Sequence, residues 1–121
     1  MDLLLRRAED AAEEGQFEVA IEHLTALVDH APEFAEGYHS RASAYFAVGQ
    51  IGPALDDLRQ TLVLNPRHFE AMYGVGIMLE ELGREDDAIA AYQAIQKIYP
   101  LDPRAAEALA RLELKLEGQA I

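Results

Sequence analysis

Apolar residues recur along the chain at intervals of three and four, in stretches separated by short polar breaks, which is the period of a helix with one buried face. Val19, Leu24, Leu27 and Val28 share one such face, and Leu55, Leu58 and Leu62 another. The pattern predicts helices at roughly 2–14, 18–30, 34–48, 53–64, 68–82, 86–98 and 103–117. Ala, Leu and Glu are abundant and β-branched residues sparse, a bias that favours helix because the former lose little rotamer freedom there. The expected class is all-α with seven helices. Pro53 falls in a first helical turn, and Asp102-Pro103 supplies an N-cap followed by a first-turn proline.

The chain repeats itself. Gly15, Gly49 and Gly83 stand 34 residues apart, and the same interval separates Ala20, Ala54 and Ala88; Ile21, Leu55 and Ile89; and Pro32, Pro66 and Pro100. Each column has a physical reason. The glycine ends one helix in the left-handed region. The alanine stands where two helices approach most closely. The proline stops the second helix, because it lacks an N–H and restricts the residue before it.

This arrangement resembles the tetratricopeptide repeat (TPR) family, whose 34-residue unit is a helix-turn-helix pair. Tyr38, Ala42, Tyr45, Ala54, Leu58 and Pro66 match its pattern in the second repeat. Met72, Val75, Gly76, Leu79, Ala88, Tyr92 and Pro100 match in the third, and Leu4, Ala8, Ala11, Ala20, Leu24 and Pro32 more weakly in the first. Arg7 and Arg41 depart from it, standing where the family usually has leucine. The resemblance extends to short bacterial TPR proteins of uncharacterised role. It implies a right-handed α-solenoid forming a single domain over 1–121, with repeats at 1–34, 35–68 and 69–102 and a capping helix at 103–117. In that cap Leu109, Leu112 and Leu116 form an apolar stripe, while Arg104, Glu107, Arg111, Lys115 and Glu117 face water. No equivalent cap precedes the first repeat, so self-association through Leu3, Leu4 and Ala8 is the alternative expectation, giving a homo-oligomer.

Charge narrows the partners. Asp and Glu number 22 against 10 Lys and Arg, a formal net charge of −12, and such a surface repels nucleic acid and anionic headgroups. The absence of cysteine removes disulfides, thiolate metal sites and cysteine nucleophiles. No apolar run approaches the roughly 20 residues that span a bilayer, and the N-terminal segment does not read as a signal peptide. A soluble protein is expected, cytoplasmic, or periplasmic if an export signal has been removed.

In the TPR family most partners bind the concave face formed by the first helix of each repeat. That resemblance implies a groove containing Leu5 and Glu9; Glu36, His39, Ser43 and Phe46; Glu70, Tyr73 and Ile77; and Arg111 from the last helix. Phe46, Tyr73 and Ile77 lie outside the packing columns; they either form its apolar floor or cover neighbouring helices. The surrounding carboxylates either suit a protein or peptide with an apolar anchor and a positive charge or form an ordinary solvated face. Family members that hold acidic chaperone tails use a clamp of lysines, asparagines and arginine. Leu5, Glu9, Ser40, Glu70 and Gly74 stand at those places, so that mode of binding is not expected.

Catalytic chemistry finds little support. His23 and His30 lie two turns apart on one helix, too distant to chelate one ion closely. Glu36 and His39 have the spacing of a carboxylate-histidine metal pair, but a site needs further ligands from other helices. Gly74-Val75-Gly76 lacks the third glycine and preceding strand of a dinucleotide fingerprint. Ser40 and Ser43 near His39 lack an orienting acid and an oxyanion hole. No metal, no cofactor and no enzymatic activity are expected.

Overall fold

The structure, a computed structural model, describes residues 2–120, with side chains from Leu3 to Gly118. Met1 and Ile121, the ends of the expected single domain, lie outside the described residues. Seven helices follow one another: α1 (Asp2–Glu13), α2 (Phe17–His30), α3 (Ala35–Ala47), α4 (Ile51–Leu64), α5 (Phe69–Glu81), α6 (Glu85–Ile98) and α7 (Pro103–Ala120). The fold is all-α and there is no strand among the described residues. Most bounds fall within two residues of those expected; α7 runs three residues further, and α4 starts at Ile51, so Pro53 is its third residue.

Two kinds of turn alternate. At the first, Gly15, Gly49 and Gly83 have φ of 76°, 80° and 74°. The N–H of the next residue reaches back five positions, as Gln16 to Ala11, Gln50 to Tyr45 and Arg84 to Leu79, at 2.8–2.9 Å. Gly15, Gly49 and Gly83 themselves donate to Ala12, Phe46 and Glu80. These are Schellman caps, which satisfy the orphan carbonyls of a helix end through a left-handed residue. The second kind places Pro32, Pro66 and Pro100 second in a four-residue turn. It closes by Phe34 N–H to Ala31, His68 N–H to Asn65 and Asp102 N–H to Tyr99, at 3.0–3.1 Å. The pre-set φ of proline favours that position.

The last residue of this second turn is also the N-cap of the next helix. Asp102 Oδ2 accepts the Ala105 N–H at 3.0 Å, and His68 Nδ1 accepts the Ala71 N–H at 3.1 Å. Phe34 offers no such acceptor; its carbonyl receives the Gly37 N–H at 3.1 Å.

The chain divides into two compact units, Met1–Ala71 and Met72–Ile121. In the first, Ala8, Ala11, Ala20, Leu24, Leu27 and Ala44 form a buried cluster, with Leu4 and Leu5 packed against it. Of the residues expected on a self-associating surface, Ala8 is 2% exposed in this unit's own core, while Leu3 is exposed. The column alanines Ala20, Ala54 and Ala88 are all fully buried.

The two unexpected arginines differ. Arg7 is exposed. Arg41 pairs with Asp57, its Nε donating to Oδ2 at 2.7 Å and its Nη2 to Oδ1 at 2.8 Å. Asp57 is 5% exposed, and its hydrogen bond raises the Arg41 pKa, against the opposing effect of burial. Tyr38 and Tyr45 flank the guanidinium at 5.9 and 5.7 Å from their ring centres.

In the second unit Tyr92 is fully buried and explains Gly76, because a Cβ there would stand 2.5 Å from Tyr92 Cε1. The cap stripe forms as expected, with Leu109 and Leu112 buried and Leu116 half-buried, while Arg104, Glu107, Arg111, Lys115 and Glu117 are exposed.

Candidate functional site

The first unit carries a cleft of about 380 Å³ bounded by α1, α2 and α3. Its inner surface is apolar: Leu5, Ala8 and Ala12 from α1, Phe17, Ala20 and Leu24 from α2, and Ala44 from α3. Small alanines at these positions leave the space that larger side chains would fill. Polar groups come from Glu9 on α1 and from Glu36, His39, Ser40 and Ser43 on α3. Neither lysine nor arginine lines it among the described residues.

One wall is organised around Glu36. His68 Nε2 donates to Glu36 Oε1 at 2.6 Å, and His39 Nδ1 stands 3.5 Å from Oε2. The two imidazole centres are 4.6 Å apart. Because His68 Nδ1 accepts the Ala71 N–H, the single proton of the neutral ring belongs on Nε2, facing Glu36. Burial would raise the Glu36 pKa, but the His68 hydrogen bond and the two imidazoles outweigh it and hold the carboxyl below 4.5. Ser43 Oγ donates to the His39 carbonyl at 3.3 Å, so its proton is turned into its own helix and away from any base.

Of the groove residues expected from sequence, Leu5, Glu9, Glu36, His39 and Ser43 meet in this cleft. Phe46 and Glu70 belong to the same unit and are exposed, but neither forms its wall. Tyr73, Ile77 and Arg111 belong to the second unit. Tyr73 has a packing role there: its ring lies 5.7 Å from that of Tyr92, and the Arg104 guanidinium sits 5.1 Å above it. Ile77 is half-buried.

Arg111 grips Glu80, with Nη1 on Oε1 and Nη2 on Oε2, the latter at 3.1 Å. Tyr92 Oη donates to the same Glu80 at 2.6 Å. The Arg111 hydrogen bond, more than any other influence, holds Glu80 below 4.5. Burial first, then Glu80, pushes the Tyr92 phenol above 10.0. Arg111 is thus a bracing residue of α5 and α7.

His68 was not among the sequence candidates. A signal was available, since Phe34, His68 and Asp102 form another column at the repeat interval, and His68 at that place reaches Glu36 on α3.

Helix pairs, left-handed glycines and alanine contacts at one period decide the family, and the tetratricopeptide repeat family matches residues 5–50 and 39–103. The chain belongs to that family. A TPR repeat-containing protein of Rhizobium etli is 30% identical over 118 residues, 98% of this chain and 58% of that relative. The chain thus spans little more than half of that relative's length. Among solved structures, MamA superposes with a TM-score of 0.88 at 28% identity, covering 98% of this chain and 68% of MamA. The first TPR of Spaghetti (RPAP3), bound to the HSP90 peptide SRMEEVD, superposes with a TM-score of 0.84 at 23% identity, covering 95% of this chain and 94% of its own.

In this TPR chain no helix among the described residues is long and apolar enough to cross a membrane.

Proposed function

We propose that this TPR chain is a binding module, an adaptor or scaffold without catalytic activity, that takes a protein or peptide partner on the first helices of its repeats. The cleft of the first unit is its anchoring site. The observation that carries this reading is the cleft's composition: an apolar interior rimmed by Glu9 and Glu36 and free of lysine and arginine among the described residues. Its volume lies at the small end of ligand pockets, which run from roughly 300 to 1,000 Å³. That suits one apolar side chain from a partner, with a neighbouring lysine or arginine meeting the carboxylates.

The RPAP3 domain shows that the fold accommodates a peptide, but SRMEEVD ends in acidic residues. The carboxylates here favour the opposite charge, and Leu5, Glu9, Ser40, Glu70 and Gly74 do not supply a clamp for an acidic tail. A binding role also fits Ser43, whose hydroxyl proton is held by the His39 carbonyl, leaving no activated nucleophile. Phe46, exposed in the same unit, extends the proposed contact surface beyond the cleft.

The test uses a partner captured from the native host and its affinity measured with purified protein. Ser43→Trp, which fills the cleft, and Glu9→Lys, which reverses its charge, are each expected to weaken binding at least tenfold. Val63→Ala, at an exposed residue of α4, is expected to bind as the parent does. Equal affinity in all three variants would overturn the assignment. Self-association through exposed Leu3 is a separate reading, checked by light scattering over a range of concentrations; a monomer throughout removes it.

A further inference from the structure

We propose that Glu36, His39 and His68 form a binding site for a divalent transition-metal ion of the zinc class. One ligand atom from each lies within 4.8 Å of the other two. Two imidazoles and a carboxylate are a donor set that zinc uses when it keeps a coordination position open. The expectation of no metal rested on Glu36 and His39 being an isolated pair. The packing of the first unit brings in the third donor, His68, from 32 residues away.

The three ligand atoms, within 4.8 Å of one another, must draw together around an ion. A tetrahedral ion with bonds of about 2.0–2.1 Å holds its donors roughly 3.3–3.4 Å apart. His39 Nδ1 stands 3.5 Å from Glu36 Oε2, close to that spacing, while His68 faces the other oxygen, Oε1, so the carboxylate must turn to present one oxygen to the ion. The Glu36–His68 separation of 2.6 Å is a hydrogen bond and must open as the ion takes the place of the proton. Glu36 is exposed and His39 half-buried, so both side chains have room to turn. Glu36 and His39 also line the cleft.

His68 makes the proposal specific. In the metal-free chain its proton is on Nε2 and Nδ1 caps α5 by accepting from Ala71. A neutral ring that binds an ion through Nε2 carries its proton on Nδ1, where it can no longer accept. Metal binding therefore exchanges the cap contact for a metal bond, with no net release of a proton from this ring. The linked loss of the Ala71 contact moderates affinity, and a dissociation constant in the micromolar range is expected.

The experiment uses the full chain without a histidine tag, stripped of metal, and titrated calorimetrically with zinc chloride and, in parallel, followed by the visible absorption of cobalt(II). One ion per chain is expected. His39→Ala and Glu36→Gln should each weaken binding by at least about tenfold, the scale on which even outer-shell partners matter. His68→Asn should do the same while keeping a good N-cap, so that loss of the helix start cannot account for the result. His23→Ala and His30→Ala should bind as the parent does. In amide spectra the Ala71 resonance should shift and exchange faster on adding zinc. No binding in the parent, or a His39→Ala/His68→Asn double variant that binds as tightly as the parent, overturns the proposal. The reading is independent of any peptide partner.

Discussion

Replacing Arg41 by leucine restores the residue the TPR family usually carries at that place, yet it is expected to destabilise this chain. Asp57 is 5% exposed, and both its carboxylate oxygens receive hydrogen bonds from Arg41. Arg41→Leu removes both donors and leaves a buried carboxylate without its cation. Breaking a buried pair from one side typically costs about 3–5 kcal/mol. The Arg41 side chain is still 17% exposed, so water has some access and the lower end, about 3 kcal/mol, is expected. That is a large share of a total stability of roughly 5–15 kcal/mol.

Removing both charges together is different, because well-packed apolar replacements of buried pairs are often neutral or better. Arg41→Leu/Asp57→Leu should therefore lie within about 1 kcal/mol of the parent. The assay is urea unfolding followed by helical circular dichroism, with the parent, both single variants and the double variant forming a cycle. A coupling energy of about 2 kcal/mol or more is expected. An Arg41→Leu variant as stable as the parent, or a double variant no better than the worse single one, would refute the reasoning.

Two further outcomes follow from the second unit. Gly76→Ala would normally gain up to about 1 kcal/mol in a helix interior. Here the new Cβ meets the ring of fully buried Tyr92 at 2.5 Å, so a net loss of about 1–2 kcal/mol is expected in thermal or urea unfolding. Gly118→Ala, in open space near the end of α7, should be neutral or slightly stabilising. Glu80 has its folded pKa depressed below 4.5, chiefly by Arg111. Its contribution is complete above the unfolded value and lost as pH falls through the folded one. Glu80→Gln should therefore lower the melting temperature at pH 6, with the deficit shrinking below about pH 4.5.

The sequence by itself determined the repeat, its period, the element order and the turns. These depend on local backbone demands: a positive φ that glycine meets at 15, 49 and 83, and a missing donor that ends helices before Pro32, Pro66 and Pro100. Such demands are written in residue type and spacing, so they survive without knowledge of what packs against what. The alanine columns were legible for a related reason, since close helix approach tolerates little else. Half of the candidate groove, carried over from the geometry the family resemblance implies, falls together, with Leu5, Glu9, Glu36, His39 and Ser43 lining one cleft. Only the tertiary structure decided which polar groups meet. Arg41 and Asp57, 16 residues apart, and Glu36 and His68, 32 apart, sit on different helices or turns. No periodicity within one helix fixes their rotation about each other. The same holds for Arg111, which looked free on the exposed face of α7 and is held by Glu80 on α5. Side-chain pairing across helices follows from packing, and packing is a property of the assembled units.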